Sequence, residues 1–523
     1  MAEENLLAVI RNVVAKKPAA VAYHTPARSW TFAEVVEASD RLASGLRSIG
    51  VGRGDRVAAL TKHTTECVLL TIAACKLGAV FMPVNWRLAA PEIEVILNDG
   101  AAKFLMADAA FLPTVGKGTY PALKTILATD TAPEFEAFHT WLARFDVLRD
   151  PHEPEPHETA LQLYSSGTTG RPKGVELSHA NLLLPIRGFS EIWGFEGGKS
   201  VMFNALPSFH IAGIELALLT LLVGGVTVLQ PEFEPHRIIP ALGEHRITHM
   251  FLVPAMIMAL INTPGVTEGN YASLEKIAYG ASPISEKVLL EAMRIFGCDF
   301  LQVYGLTETT GAVTYLPPED HAPGGARAWL LRAAGKPLAG VQLRIVDPAS
   351  GDTLPDGEVG EVWIHCAQNM KGYWNNPKAT VEAFPGGRED GSGWFRSGDA
   401  GFLREGYLFI HDRIKDMIIS GGENIYPAEV ENALMKHPAV ADVAVIGVPD
   451  PKWGEAVKAV IVRRPDNAAS AEEIIAFARE QIAHFKCPKS IDFLTALPRN
   501  PSGKLLKYQL RQPYWEGYDR RVN

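Results

Sequence analysis

"RVAAL" (Arg56–Leu60), "ECVLLTIAACKLG" (66–78), "AVFMPV" (79–84), "APEIEVILNDG" (90–100) and "KFLMAD" (103–108) follow one another with only short connections. The first, third and last are apolar runs of strand length. The second and fourth are long enough for helices. Such alternation builds a parallel sheet with helices on its faces. Just upstream, "TFAE" (31–34) is a capping box, predicting a helix that reaches about Ile49. The architecture expected from this stretch is α/β and of a nucleotide-binding kind.

A second alternating set runs through "SVMFNAL" (200–206), a helix over 211–223, "GVTVLQ" (225–230), "THMFLV" (248–253), "KIAYG" (276–280) and "DFLQVYG" (299–305). Two sheets of one large domain are the simplest packing. Between 335 and 410 the pattern changes to short strands separated by Gly and Pro, "VQLRIVD", "GEVWIH" and "YLFIHD", which predict a small β subdomain. The last hundred residues read as a separate α+β unit, with helices over "AEVENALMKH" and "AEEIIAFAREQIAHF" and strands over "VADVAVIGV" and "AVKAVIV". Pro- and acid-rich "PHEPEPHE" (151–158) is expected to be an exposed connector.

Composition narrows the function. A 523-residue chain with 47% hydrophobic and 21% charged residues is a folded globular protein, not a disordered one. Fifty Lys plus Arg against 59 Asp plus Glu leave a net charge of −9, which argues against a nucleic-acid partner and a polybasic membrane patch. Cys67, Cys75, Cys298, Cys366 and Cys487 are scattered and form no CxxC pair, so a reducing cytoplasmic setting is expected. "MAEENLLAVI" opens acidic, unlike a secretory signal. The window 211–229 has the length of a membrane span, but Glu215 interrupts it and Gly224-Gly225 splits it. It reads as a buried helix, a turn and a buried strand, and no integral membrane segment is expected.

The loop "YSSGTTGRPKG" (164–174) gathers two serines, two threonines, three glycines and a lysine. Glycines let backbone N–H groups converge on an anion, and hydroxyls and an ammonium add donors and charge, so phosphate is the natural ligand. A plain surface turn is the competing reading. The strand-like "ALQLYS" (160–165) leads into the loop, and Pro172 stiffens the approach to Lys173. It is not the P-loop pattern, because Lys173 is followed by Gly174 and not by Ser or Thr.

Four further stretches accompany it: "YGLTETTG" (304–311), "GWFRSGD" (393–399), "DRIKDMIISGGENIYP" (412–427) and "PRNPSGKLLK" (498–507). In this order, from about residue 20 to about residue 510, they closely resemble the acyl-adenylate-forming enzymes, the superfamily of acyl-CoA synthetases, adenylation domains and firefly luciferase. The resemblance implies a large N-terminal domain, 1–412, of two αβ-layered sheets plus a small β subdomain. It implies a hinge at 413–415 with Lys415 as the hinge residue, and a small mobile α+β C-terminal domain, 416–523. It implies a two-step ligase. A carboxylate attacks the α-phosphorus of ATP to give acyl-AMP and pyrophosphate, and a thiol, usually that of CoA, then displaces AMP.

Roles follow from the same resemblance. Ser165, Ser166, Gly167, Thr168, Thr169, Gly170 and Lys173 would cradle the β and γ phosphates. Tyr304 would lie against adenine, beside Gly280, Ala281 and Ser282 of "YGASP". Thr307 would bind phosphate, and Glu308 would hold Mg²⁺, a hard cation that prefers carboxylate oxygen; an acid favoured by a helix N-terminus is the plainer alternative for Glu308. Asp399 would accept both ribose hydroxyls, and Arg413 would contact ribose and phosphates. Lys504 would bridge the carboxylate and the α-phosphate during adenylation. Gly421 and Gly422 would approach the pantetheine of CoA. The partners implied are small molecules, a carboxylic acid, ATP and CoA, with a homodimer left open.

The acid itself is read from composition around "SFH" (208–210). Amino-acid-activating relatives carry Phe-Asp there, and His210 stands in place of the Asp. "FHIAGIE", "MFLVPAMIM" and "TTGAVTY" are apolar, with no Arg or Lys to read a second carboxylate. His210 and Ala281 are expected to line the acyl site, and a medium- to long-chain fatty acid is favoured over an aryl or arylpropenoyl acid. The chain ends nineteen residues after Lys504, so a carrier-linked module is not expected. A non-catalytic nucleotide-binding relative is the reading from another class, and the joint presence of Lys173, Glu308, Asp399, Arg413 and Lys504 weighs against it.

Overall fold

The computed structural model describes residues 4–166, 172–282, 284–388, 393–421, 423–465, 467, 469–499 and 505–516, and the backbone alone of Ser166, Lys415 and Asn424. Thr31 and Glu34 form the expected reciprocal cap: Glu34 N–H donates to Thr31 Oγ1 at 3.2 Å, and Thr31 N–H donates to Glu34 Oε2 at 2.7 Å. The helix they start is Phe32–Ser48. Strands Arg56–Leu60, Val80–Pro83 and Phe104–Ala107 are parallel neighbours and buried along their whole length. Among the described residues they form the middle of an eight-stranded sheet. One flank of this sheet is the antiparallel hairpin Thr159–Ser166 and Pro172–Ser178, closed at the edge by Gly372–Tyr373.

The second alternating set forms, among the described residues, a nine-stranded sheet in which Val201–Asn204, Val226–Leu229, His249–Leu252, Lys276–Gly280 and Asp299–Leu306 are parallel. Strand Val21–His24 pairs parallel to Val226–Leu229, so the first strand of the chain belongs to the later sheet. Helices Leu6–Lys16, Thr65–Cys75, His179–Trp193 and Ile211–Val223 pack on one another between the two sheets. Ile211–Val223 is buried on nearly every side in that layer, as a helix apolar almost all round must be. This explains the membrane-like look of 211–229: the helix ends at Val223, Gly224 turns the chain at φ +87°, and strand Val226–Leu229 follows. No helix of the described residues is long and apolar enough to cross a membrane.

Strands Gln342–Val346, Gly360–His365, Trp394–Arg404 and Tyr407–Arg413 make the small antiparallel sheet expected between 335 and 410. A single turn of 3₁₀ helix, Ile414–Asp416, leads to the C-terminal domain, a separate five-stranded sheet with helices Pro427–Leu434, Ala471–Gln481 and Lys507–Trp515. Its last helix reaches back to the junction. Lys507 Nζ bonds Asp412 Oδ2 at 2.8 Å and Glu431 Oε1 at 3.0 Å, and Arg511 bonds Asp416 Oδ1 at 2.6 Å. The 151–158 connector is tied down more firmly than its composition suggests. Asn5 Nδ2 donates to Pro154 O at 2.9 Å, and Arg53 pairs with Glu158 at 2.7 Å.

Candidate active site

A cavity of about 700 Å³ opens beyond the carboxyl ends of the parallel strands of the nine-stranded sheet, where open α/β sheets bind ligands. Ser165, Lys173, Thr307, Glu308, Tyr373 and Arg413 line it together with Phe189, Leu216, Leu219, Phe251, Val253 and Met256. One cavity thus joins a charged, hydroxyl-bearing wall to an apolar one.

The hairpin register sets Ser165 directly opposite Lys173, so both side chains come from a rigid paired element. Ser165 Oγ donates to Glu308 Oε1 at 3.1 Å, and the Tyr373 hydroxyl donates to the same oxygen at 3.2 Å. Lys173 Nζ stands 5.0 Å from the centre of the Tyr373 ring. Burial first, and the Glu308 carboxylate second, push the Tyr373 phenol well above its ordinary range. Glu308 sits in the 3₁₀ turn Thr307–Thr309, fixed by Leu306 N–H to Thr309 Oγ1 at 2.9 Å and by Gln368 Nε2 to Thr309 O at 2.8 Å. Strand Gly311–Leu316 follows that turn and not an α-helix, so a helix dipole does not account for an acid at this position. One fixed carboxylate suits Mg²⁺, which completes its octahedron with water and phosphate oxygens and needs few protein ligands.

Asp399 and Arg413 face each other across adjacent strands. Arg413 Nε bonds Asp399 Oδ1 at 2.7 Å, and the Tyr304 hydroxyl donates to Asp399 Oδ2 at 2.7 Å. Asp399 raises the Arg413 pKa in spite of burial, while burial and then Asp399 push the Tyr304 phenol far up. Each Asp399 oxygen keeps a further lone pair for a hydroxyl donor. The strand carrying Tyr304 runs to Leu306, one residue beyond the run read from sequence. Gly280 ends its strand where a Cβ would lie 2.4 Å from Val303 O, so no side chain fits. Ala281 lines the cavity at φ +69°, a strained conformation for a non-glycine residue. Gly280, Ser282, Tyr304 and Asp399 do not themselves line it, although Ala281, Gly305 and Gly398 beside them do.

At the apolar wall, His210 precedes helix Ile211–Val223, and its Nε2 is cut off from solvent with no hydrogen-bond partner among the described residues. Burial, and secondarily Arg87, lowers its pKa to about 4, so the ring is neutral at physiological pH. Arg87 lies over the Trp86 ring at 4.2 Å and 5.8 Å from the Phe209 ring. A cation near His210 was not expected from the flanking sequence, because it arrives from more than a hundred residues away. It is not part of the cavity wall.

The AMP-binding enzyme family model matches residues 10–374, and that of the AMP-binding enzyme C-terminal domain matches 429–504. The chain belongs to the AMP-binding enzymes. Among its relatives is the fatty acid–[acyl-carrier-protein] ligase ScoC of Streptomyces coeruleorubidus, 39% identical over 95% of this chain and 94% of that one. Another is a feruloyl-CoA synthase of an Amycolatopsis species, 36% identical over 95% and 96%. Among solved structures, ATP-bound MatB from Rhodopseudomonas palustris has a TM-score of 0.89 and 30% identity, covering 99% of this chain and 100% of that one. The protein is accordingly an AMP-forming ligase that uses ATP, and the reading as a non-catalytic relative is set aside.

In this AMP-binding enzyme several predicted residues lie apart from the cavity or outside the described residues. Gly421 turns at φ +62° in the C-terminal sheet, where its N–H donates to Trp453 O at 2.8 Å, and it does not reach the cavity wall. Gly167, Thr168, Thr169, Gly170, Gly422 and Lys504, and the side chains of Ser166 and Lys415, lie outside the described residues. Tyr373 and Glu215, both on the cavity wall, were not singled out as site residues from sequence. The interruption of an apolar helix by Glu215 was the available signal for the second; nothing local marks the first.

Proposed function

We propose that the protein activates an apolar carboxylic acid, in the first place a medium- to long-chain fatty acid, as acyl-AMP and passes the acyl group to CoA. The observation that carries this reading is the continuity of one cavity from Glu308, Lys173 and Arg413 to Leu219, Phe251 and Met256. The acid's alkyl body fits the apolar wall, and its carboxylate then points toward the charged one. There the carboxylate oxygen bonds to the α-phosphorus as the bond to pyrophosphate breaks. Charge gathers on phosphoryl oxygens in this step, so fixed cations and donors do most of the catalysis. Lys173 and Ser165 neutralise and orient phosphates from the hairpin. Thr307 donates from the turn. Asp399 holds the ribose, with Arg413 and Tyr304 keeping its oxygens in place. Mg²⁺, when bound at Glu308, supplies further neutralisation.

Lys504 is assigned to adenylation. Gly421 and Gly422 are assigned to the thiol step, in which sulfur bonds to the acyl carbon and AMP leaves. Both belong to the C-terminal domain, so the domain turns about Lys415 between the steps. The setting is cytoplasmic, in keeping with five free cysteines. The test measures each half-reaction alone. Lys504→Ala should slow pyrophosphate release about a hundredfold, the usual loss for one preorganised donor, while supplied acyl-AMP still forms thioester. ADP in place of AMP, or equal slowing of both halves, would refute the reading.

A second reading concerns acid and acceptor. The feruloyl-CoA synthase likeness supports an arylpropenoyl acid, and the ScoC likeness supports the pantetheinyl thiol of a carrier protein as acceptor. Pyrophosphate release across a panel of fatty and aromatic acids, with CoA or phosphopantetheinylated carrier as acceptor, separates these.

A further inference from the structure

Helix Ile211–Val223 is apolar apart from Glu215 and Thr220, whose hydroxyl pairs with that of Thr227 at 2.5 Å, and Ile211, Ala212, Glu215, Leu216 and Leu219 are the residues it contributes to the cavity wall. The spacing puts them on one face, so Glu215 lies a turn inside His210 and faces the space that receives the acid. Neither carboxyl oxygen makes a hydrogen bond or ion pair with any described residue, and Oε1 is cut off from solvent. The other oxygen lies against Gly311, where a Cβ would stand only 2.4 Å from Oε2. Gly311 is held at φ +78° immediately after the turn that carries Glu308. The carboxyl is therefore placed between the apolar wall and the phosphate turn, in a gap that any side chain at 311 would fill.

A buried, unpartnered polar group is costly to the fold, and native structures nearly always satisfy such groups with protein, water or ligand. In an otherwise aliphatic helix, Leu or Met would fill the same volume without that cost. Resting on the proposed acid-activating function, we propose that Glu215 recognises a hydrogen-bond donor, a hydroxyl or amino group, carried on the apolar body of the substrate acid. The acid is then an aliphatic or aromatic frame with one polar substituent. Glu215 accepts from that substituent, and an acid that lacks it leaves the carboxyl unpaired in the bound state. Sites built to bond a substituent discriminate strongly against analogues without it, more strongly than apolar pockets discriminate by size.

The experiment compares kcat/KM for pyrophosphate release with matched acids: octanoate, 8-hydroxyoctanoate and 8-aminooctanoate, and cinnamate with its 4-hydroxy and 4-amino forms. The wild-type protein should favour a donor-bearing member of at least one series over its parent by about tenfold or more. Glu215→Leu should reverse the order. Glu215→Gln should keep a hydroxyl preference and lose one for the charged 8-ammonium group, which tells those two substituents apart. Equal preference ratios in wild type and Glu215→Leu, or a parent acid favoured in both series, would overturn the proposal and leave Glu215 a carboxyl that binds water only. The rise in thermal midpoint on adding each acid is measured on the same proteins. If no acid released pyrophosphate, the activating function would fail, while the difference in midpoint between matched acids would still decide the role of Glu215.

Discussion

Asp399 shows how much a single side chain is asked to do. It accepts from Tyr304 on one oxygen and pairs with Arg413 on the other, while keeping lone pairs for a ligand. Asp399→Asn keeps the shape and removes the charge. It should lower the rate of acyl-AMP formation about a hundredfold, measured by pyrophosphate exchange, with the loss expressed as weaker ATP binding. A variant with unchanged ATP affinity would move the ribose site elsewhere. Asp399, Arg413 and Glu308 could be singled out because each sits in a short recognisable motif, and the structure brings Arg413 and Glu308 to one cavity. Tyr373 was not, because its partner Glu308 lies 65 residues upstream and no periodicity joins them. Arg87 was missed for the same reason. Ser165 could be singled out from its loop, but its bond to Glu308, 143 residues away, could not be read.

Helices and strands of the two large sheets were readable from period and length, since buried parallel strands are short continuous apolar runs and the helices between them are longer. What could not be read was pairing. Nothing local tells Val21–His24 to join the later sheet, or Pro172–Ser178 to fold back antiparallel on Thr159–Ser166. The hairpin of Asp299–Leu306 and Gly311–Leu316 gives the sharpest test at this level. A Cβ on Gly305 would lie 1.8 Å from Gly311 O, so Gly305→Ala must push the two strands apart. The expected cost is about 2 to 3 kcal/mol in chemical unfolding, together with loss of adenylation as Glu308 moves. Gly188, inside helix His179–Trp193 with open space where its Cβ would be, is the control. Gly188→Ala should change stability by no more than about 1 kcal/mol, in the stabilising direction.

Across the whole molecule, the junction between domains carries a buried charge cluster. Burial works against the Lys507 ammonium, yet Glu431 and Asp412 hold its pKa above the usual lysine range. Lys507→Met would leave two carboxylates without their cation and should destabilise the C-terminal domain by about 3 to 5 kcal/mol, seen as an earlier first transition in urea. A single unshifted transition would show the cluster to be dispensable. Acid should also weaken the fold. Burial lowers His63 to about 3, and His179, His210 and His249 to about 4, while in the unfolded chain each titrates near 6.5. Between those values the unfolded state binds more protons, so stability falls as pH falls from 6.5 toward 4. Thermal midpoints across that range should drop, and replacing His63 with Gln should make the drop shallower. The eight-stranded sheet has one more consequence. The edge of the hairpin that bears Ser165 and Lys173 is closed by Gly372–Tyr373, and the partner of Asp399 is residue 413. During synthesis, therefore, some four-fifths of the polypeptide must leave the ribosome before the cavity has all its walls. Chains stalled near residue 360 should not be retained on ATP-agarose, whereas the full-length chain should be.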